Sequence, residues 1–187
     1  MTLLIRMPDH ASERISQQLK TELHDITELI IGGDAPENAL ECSRIIILFP
    51  LYSEGLPSDM LRLLMLLDKA LHGEDVPVYC LALTDLYNPQ RCECALMTVE
   101  NWAIKSGLRW CGGMALSGQS LIPIKVLFRK DMGKAEIAAV KAFALNVSNL
   151  IATENIFVST DLSNKRYCLA LNSAVKKYVK NGEVRKK

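Results

Sequence analysis

The sequence lacks a charge excess of either sign: 22 Lys and Arg stand against 21 Asp and Glu, a formal net charge of +1. That balance gives no reason to expect a nucleic acid or an anionic membrane as partner, and neither is expected. The basic end, VRKK, reads as a solvated tail. No apolar run approaches the roughly 20 residues that span a bilayer, and the start lacks the basic residues and apolar core of a signal peptide. A cytoplasmic location is therefore expected. Internal repeats, low-complexity tracts and signs of a second domain are also missing. No G-x-G-x-x-G follows an apolar run, which argues against a Rossmann-type dinucleotide-binding enzyme. The cysteines lack metal-ligand spacing as well. Of Cys42, Cys80, Cys92, Cys94, Cys111 and Cys168, only Cys92 and Cys94 are close, and on a helix they would point in different directions. No metal site is expected; most of the cysteines read as small buried apolar residues in a reducing compartment.

What is present is enough apolar material, 49% of 187 residues, to bury the core of one globular domain. The chain is organised around RIIILFPLYSEGLPSDMLRLLMLLDKAL, residues 44–71. Residues 45–49 form an unalternating, largely β-branched run, which suits a strand buried on both faces of a parallel sheet. Pro50 and Gly55 break it, Tyr52, Ser53 and Glu54 lie between them, and Pro57 with Ser58 or Asp59 starts a helix. The helix over 58–71 carries more apolar residues than one face needs. It should be covered on two sides, by the sheet and by either a second subunit or another helix of the chain.

The same alternation recurs along the chain. Residues 2–7 suit a first strand despite Arg6. Ser12 suits an N-cap, and Ile15, Leu19 and Leu23 form a helical stripe. Residues 26–31 read as a second strand ended by Gly32 and Gly33. Residues 76–83 form another buried strand, with Thr84, Asp85 and Tyr87 at its end. Asn88 and Pro89 open a helix with Cys92, Leu96, Val99 and Ala103 on one face, stopped by Gly107. Residues 109–116 read as a strand in which Gly112 and Gly113 allow close backbone approach, and a further helix covers 134–153. The remainder, 154–187, starts with the extended piece IFVST and ends in a helix bearing Tyr167, Leu171, Val175 and Tyr178. Five strands with intervening helices make a doubly wound α/β domain. In such sheets ligands bind outside the carboxyl ends of the strands, and polar residues gather there in this sequence.

The order of elements, the segment FPLYSEGLPSDML, the loop SGQSLIP and the tail from RYCLALN to VKKYVKNG resemble the flavodoxin-like NAD(P)H-dependent oxidoreductases, the NADPH-dependent FMN reductase family. The resemblance implies a single flavodoxin-like domain over 1–187, with a five-stranded parallel sheet in the order 2-1-3-4-5. Residues 154–187 would be a C-terminal extension packing on it. It implies FMN as cofactor and NAD(P)H as cosubstrate, with a small-molecule electron acceptor, and a homodimer is expected. By resemblance Pro50, Leu51, Tyr52, Ser53, Glu54 and Gly55 border the isoalloxazine, Thr84 lies on a second loop that touches it, and His10 and Ser12 belong to the phosphate loop. That loop departs from the family pattern: Asp9 replaces an arginine, no glycine is present, and Glu13 adds a second negative charge. The iron–sulfur branch of the family is excluded, because only Cys42 lies where its cysteine cluster belongs.

Two functions follow as expectations. One is an FMN-dependent oxidoreductase that passes electrons from NAD(P)H to a quinone, a flavin or a similar acceptor; since the flavin carries the hydride step, no catalytic side chain is assigned. The other is a flavodoxin-like binding or regulatory module that has lost flavin binding or catalysis.

Overall fold

The unalternating apolar runs become the centre of a parallel sheet. The computed structural model describes residues 1–33, 41–51, 55–71, 73–118, 134–160 and 162–184. Strands β1 (Thr2–Arg6), β2 (Ile26–Ile30), β3 (Arg44–Leu51), β4 (Pro77–Thr84), β5 (Arg109–Ser117) and β6 (Ile156–Val158) pair in the order β2-β1-β3-β4-β5-β6. Every pairing is parallel. The expected order holds with one correction, a sixth strand: Ile156–Val158 pairs with residues 114–116 of β5 and extends the sheet by one edge.

Because successive side chains on a strand point to opposite faces, the sheet feeds two apolar layers. Leu4, Ile46, Leu48 and Leu81 pack with Ile15 and Leu19 of α1 (His10–Glu22) and with Val140, Phe143 and Val147 of α4 (Lys134–Ser148). Leu3, Ile45, Ile47 and Val78 pack with Met60, Leu64 and Leu67 of α2 (Ser58–Leu71) and with Leu96, Val99 and Ala103 of α3 (Glu93–Lys105). Both faces of the central strands are therefore dry, which is why β3 and β4 show no polar alternation. Asn88 caps a short 3-10 turn, Pro89–Cys92, that leads into α3. The helix read over 134–153 ends earlier, at Ser148, and Leu150 follows in a left-handed conformation, φ 56°. A last helix, α5 (Asn164–Val184), follows β6.

On α2, Met60, Leu64, Leu67 and Leu71 are buried, whereas Leu61, Met65 and Leu66 are exposed. Trp102 of α3 ties that helix to its neighbour, Nε1 donating to the Leu64 carbonyl at 2.8 Å. The amino end of the sheet is closed by polar bonds. Arg44 donates through both terminal positions of its fork, to Asp25 at 2.9 and 3.0 Å and to the last carbonyls of α4, Val147 and Ser148, at 3.3 Å. The opposite, carboxyl edge is where the loops of interest gather. Among the described residues no helix is long and apolar enough to cross a membrane.

Candidate functional site at the carboxyl edge of the sheet

The strand order reverses at β1: its α1 connection leads to β2 on one side, while β3 lies on the other. A reversal of this kind opens a crevice beyond the carboxyl ends of the two strands, here between Met7–Asp9 and Pro50–Leu51. Farther along the same edge stand Thr84–Tyr87 after β4 and Ser117–Gly118 after β5.

The first loop is held by its own carboxylate. Asp9 is extended, φ −135° and ψ 147°, and its Oδ2 accepts from the backbone nitrogens of Ala11 at 2.9 Å and Ser12 at 3.2 Å. Asp9, not Ser12, is thus the N-cap of α1, because a carboxylate one residue outside the helix reaches two of its unsatisfied amides. Ser12 lies inside the first turn, fully buried, and its Oγ has no hydrogen-bond partner among the described residues. His10 turns outward into solvent, with Nδ1 3.9 Å from the Glu13 carboxylate. The two residues expected at a phosphate are therefore not brought together.

Two cations of this corner, Arg6 and Arg14, are already engaged. The Arg6 Nε donates to Glu28 at 2.6 Å, and its fork also reaches the Met7 carbonyl at 3.3 Å. Burial pulls the Arg14 guanidinium below its ordinary value, opposed by the nearby carboxylates of Asp9, Glu136 and Asp85. Among the described residues a phosphate dianion does not fit this corner: Asp9 takes two of the first-turn amides, and the carboxylates of Asp9 and Glu13 both stand in that turn.

Apolar residues stand where β3 and β4 end. Pro50 and Leu51 are buried at the end of β3, in register with Leu83 and Thr84 of β4. Thr84 is buried too, and its Oγ1 accepts from the Leu86 backbone nitrogen at 3.1 Å, so the hydroxyl shapes the turn. That turn presents Leu86 and Tyr87 at the surface, 43% and 37% exposed. Gly55 is exposed ahead of α2. Tyr52, Ser53 and Glu54 lie outside the described residues, as does the loop SGQSLIP beyond Gly118. On the other side of the first loop, a depression of about 540 Å³ is lined by Met7, Pro8, Ile31, Arg62, Leu63 and Leu66, among others.

A further site residue comes from the tail. Tyr167 of α5 is buried, its hydroxyl donates to the Asp85 carbonyl, and its ring meets Tyr87 edge-on with centroids 5.3 Å apart. Burial, with the Asp85 charge and Cys168 behind it, pushes the Tyr167 hydroxyl up to about 12. The Thr160 backbone nitrogen donates to the Ser117 Oγ at 2.8 Å, which anchors the tail where β5 ends. Gly118, φ +71°, makes room for both: a Cβ there would stand 3.2 Å from the Tyr167 ring and 3.3 Å from Thr160. Sequence reasoning placed Tyr167 on a helical stripe and missed this role. The available signal was an aromatic at the start of that stripe, which packing alone also explains.

No family model matches the chain, and no curated protein matches it in sequence. Solved structures do. The flavodoxin of Streptococcus pneumoniae TIGR4 superposes with a TM-score of 0.61 at 13% identity, covering 80% of this chain and 99% of its own. A Fusobacterium nucleatum flavodoxin bound to flavin mononucleotide gives 0.59 at 10% identity, over 80% and 98%. A WrbA-like flavodoxin of Agrobacterium tumefaciens gives 0.57 at 13% identity, over 80% and 95%. At such identities the likeness is one of architecture, and the fold of this chain is flavodoxin-like.

Proposed function

We propose that the protein is a flavin-binding redox protein, taking electrons from NAD(P)H and passing them to a quinone, another flavin or a similar acceptor. The observation that carries this reading is a coincidence at one edge of a flavodoxin-like sheet. The β1/β3 reversal lies at the same edge as the exposed Leu86 and Tyr87, the latter backed edge-on by the buried ring of Tyr167. An isoalloxazine is flat, apolar on its faces and hydrogen-bonding at its margin, and a strand-end rim meets both needs. In this reading Pro50, Leu51, Tyr52, Ser53, Glu54, Gly55 and Thr84 border the ring. The flavin supplies the redox chemistry when bound; the chain positions it and excludes water. The first loop does not fit the phosphate of FMN, because Asp9 takes two of its amides.

The reading is tested by adding the full chain to riboflavin and to FMN and following flavin fluorescence. Saturable quenching at about micromolar protein supports it, and anaerobic NADPH or NADH should then bleach the bound flavin. A chain that quenches neither flavin is instead the binding or regulatory module, a second reading that the self-capped first loop favours. The outward Leu61, Met65 and Leu66 of α2 support a homodimer as the working form; its mass in light scattering at micromolar concentration tests that part.

A further inference from the structure

We infer that the carboxyl edge selects an uncharged flavin, riboflavin rather than FMN, because Asp9 fills the phosphate position with the chain's own carboxylate. The inference rests on the flavin reading above and adds the chemical class of the ligand.

An anion at a helix N-terminus is held by amides whose partners are missing inside the helix. In α1 two of these, on Ala11 and Ser12, already donate to Asp9 Oδ2. A phosphate would have to displace that carboxylate and then lie beside it. The neighbours make this worse. Glu13 lies in the same first turn, and the Arg14 guanidinium is already offset by the carboxylates of Asp9, Glu136 and Asp85. Arg6 faces Glu28, which Lys20 and Ser16 also hold. His10 points away, and Arg62, which lines the depression beside Met7 and Pro8, stands 3.5 Å from the Asp59 carboxylate. A ribityl chain ending in a hydroxyl meets none of this repulsion, and it hydrogen-bonds to carboxylates and carbonyls as readily as water does.

The loop is therefore a selectivity filter built from one residue. Asp9 keeps the helix capped in the absence of ligand, so nothing is lost when the ligand brings no phosphate. Exchanging the carboxylate for a neutral acceptor should keep the cap and lift the repulsion. Asparagine and serine are both good caps, so either variant should fold.

The deciding experiment titrates riboflavin and FMN separately against the wild-type full chain, Asp9→Asn and Asp9→Ser, at low salt, with thermal unfolding to confirm the fold. The wild type should bind riboflavin about tenfold or more tightly than FMN. Either variant should raise FMN affinity about tenfold and leave riboflavin within about twofold. A wild type that binds FMN as tightly as riboflavin overturns the inference while the flavin reading stands. Equal gains for both ligands in the variants also overturn it, because the effect would then be one of loop shape. Binding of neither ligand up to about millimolar concentration removes the flavin reading itself, and the inference with it.

Discussion

Arg6 looks misplaced in the sequence, a charged residue inside the first apolar strand, and the structure explains it through Glu28. The side chain is buried, with its Nε 2.6 Å from the Glu28 carboxylate, which also receives Lys20 Nζ at 2.9 Å and the Ser16 hydroxyl. One carboxylate thus ties β1, β2 and α1 together. Burial alone would raise its pKa, but the hydrogen bonds from Ser16, Lys20 and Arg6 outweigh it and hold the group at about 2, against an ordinary 4.5. Since the folded value is depressed, the stabilisation is fully present above the ordinary value and is lost as pH falls from about 4.5 towards about 2. Glu28→Gln should cost about 2 kcal/mol at neutral pH in urea unfolding. The gap between variant and wild type should close on acidification through that window; parallel curves would show that the carboxylate contributes nothing. The sequence contained both residues but not their meeting, because strand register decides it. A similar ambiguity lies at the start of α1, where Asp9 and Ser12 are both good caps by type and only the backbone path selects Asp9.

At the scale of elements, β5 shows how a pair of glycines is used. Between the pairings of Val78 with Trp110 and Cys80 with Gly113, β4 contributes Tyr79 alone while β5 contributes Cys111 and Gly112. That bulge shifts the alternation, so Cys111 and Met114 face the same apolar layer despite their odd and even numbers. Gly112 adopts φ +112°, and a Cβ there would sit 2.5 Å from the Thr153 carbonyl oxygen. The obstacle is backbone, already engaged through the Thr153 nitrogen's bond to the Cys111 carbonyl at 3.0 Å. Gly112→Ala should therefore cost about 3 kcal/mol in chemical unfolding, from strain and overlap together. Gly113→Ala should cost less, since its nearest obstacle is the Leu96 Cδ2 at 2.8 Å, the end of a flexible side chain. Equal losses at the two positions would contradict this account. Close approach was legible from the two glycines; what approaches was not, because Thr153 and Asn155 come from the segment leading into β6. That strand is short and only partly buried, which left its three residues looking like a mere extended piece.

For the whole molecule, the doubly wound sheet was legible because β3 and β4 are buried on both faces and sequence displays that as unbroken apolar runs. The edge at which the site is proposed was marked in the same way, by Pro50, Leu51 and Thr84 where those runs stop. The tail was not. Its contact with the edge depends on Tyr167 reaching back to Asp85, a pairing across the fold that no periodicity encodes. The solved flavodoxins cover 80% of this chain and nearly all of themselves, so about a fifth of it lies outside the shared architecture. If the tail is part of the edge, Tyr167 should stabilise the fold through both its ring and its hydroxyl. Tyr167→Phe keeps the packing on Tyr87 and should cost about 1 kcal/mol in thermal unfolding; Tyr167→Ala should cost about 3 kcal/mol. The hydroxyl also leaves a signature in pH. Its folded value, raised to about 12 from an ordinary 10, means that the neutral form is favoured by folding, so the contribution is complete below about 10 and lost as pH rises towards about 12. Across that window wild type should lose stability relative to Tyr167→Phe, and hydrogen exchange at Leu86 and Tyr87 should quicken in wild type first. If the two proteins stay parallel up to about pH 12, the hydroxyl is not held at Asp85 and the tail does not complete the edge.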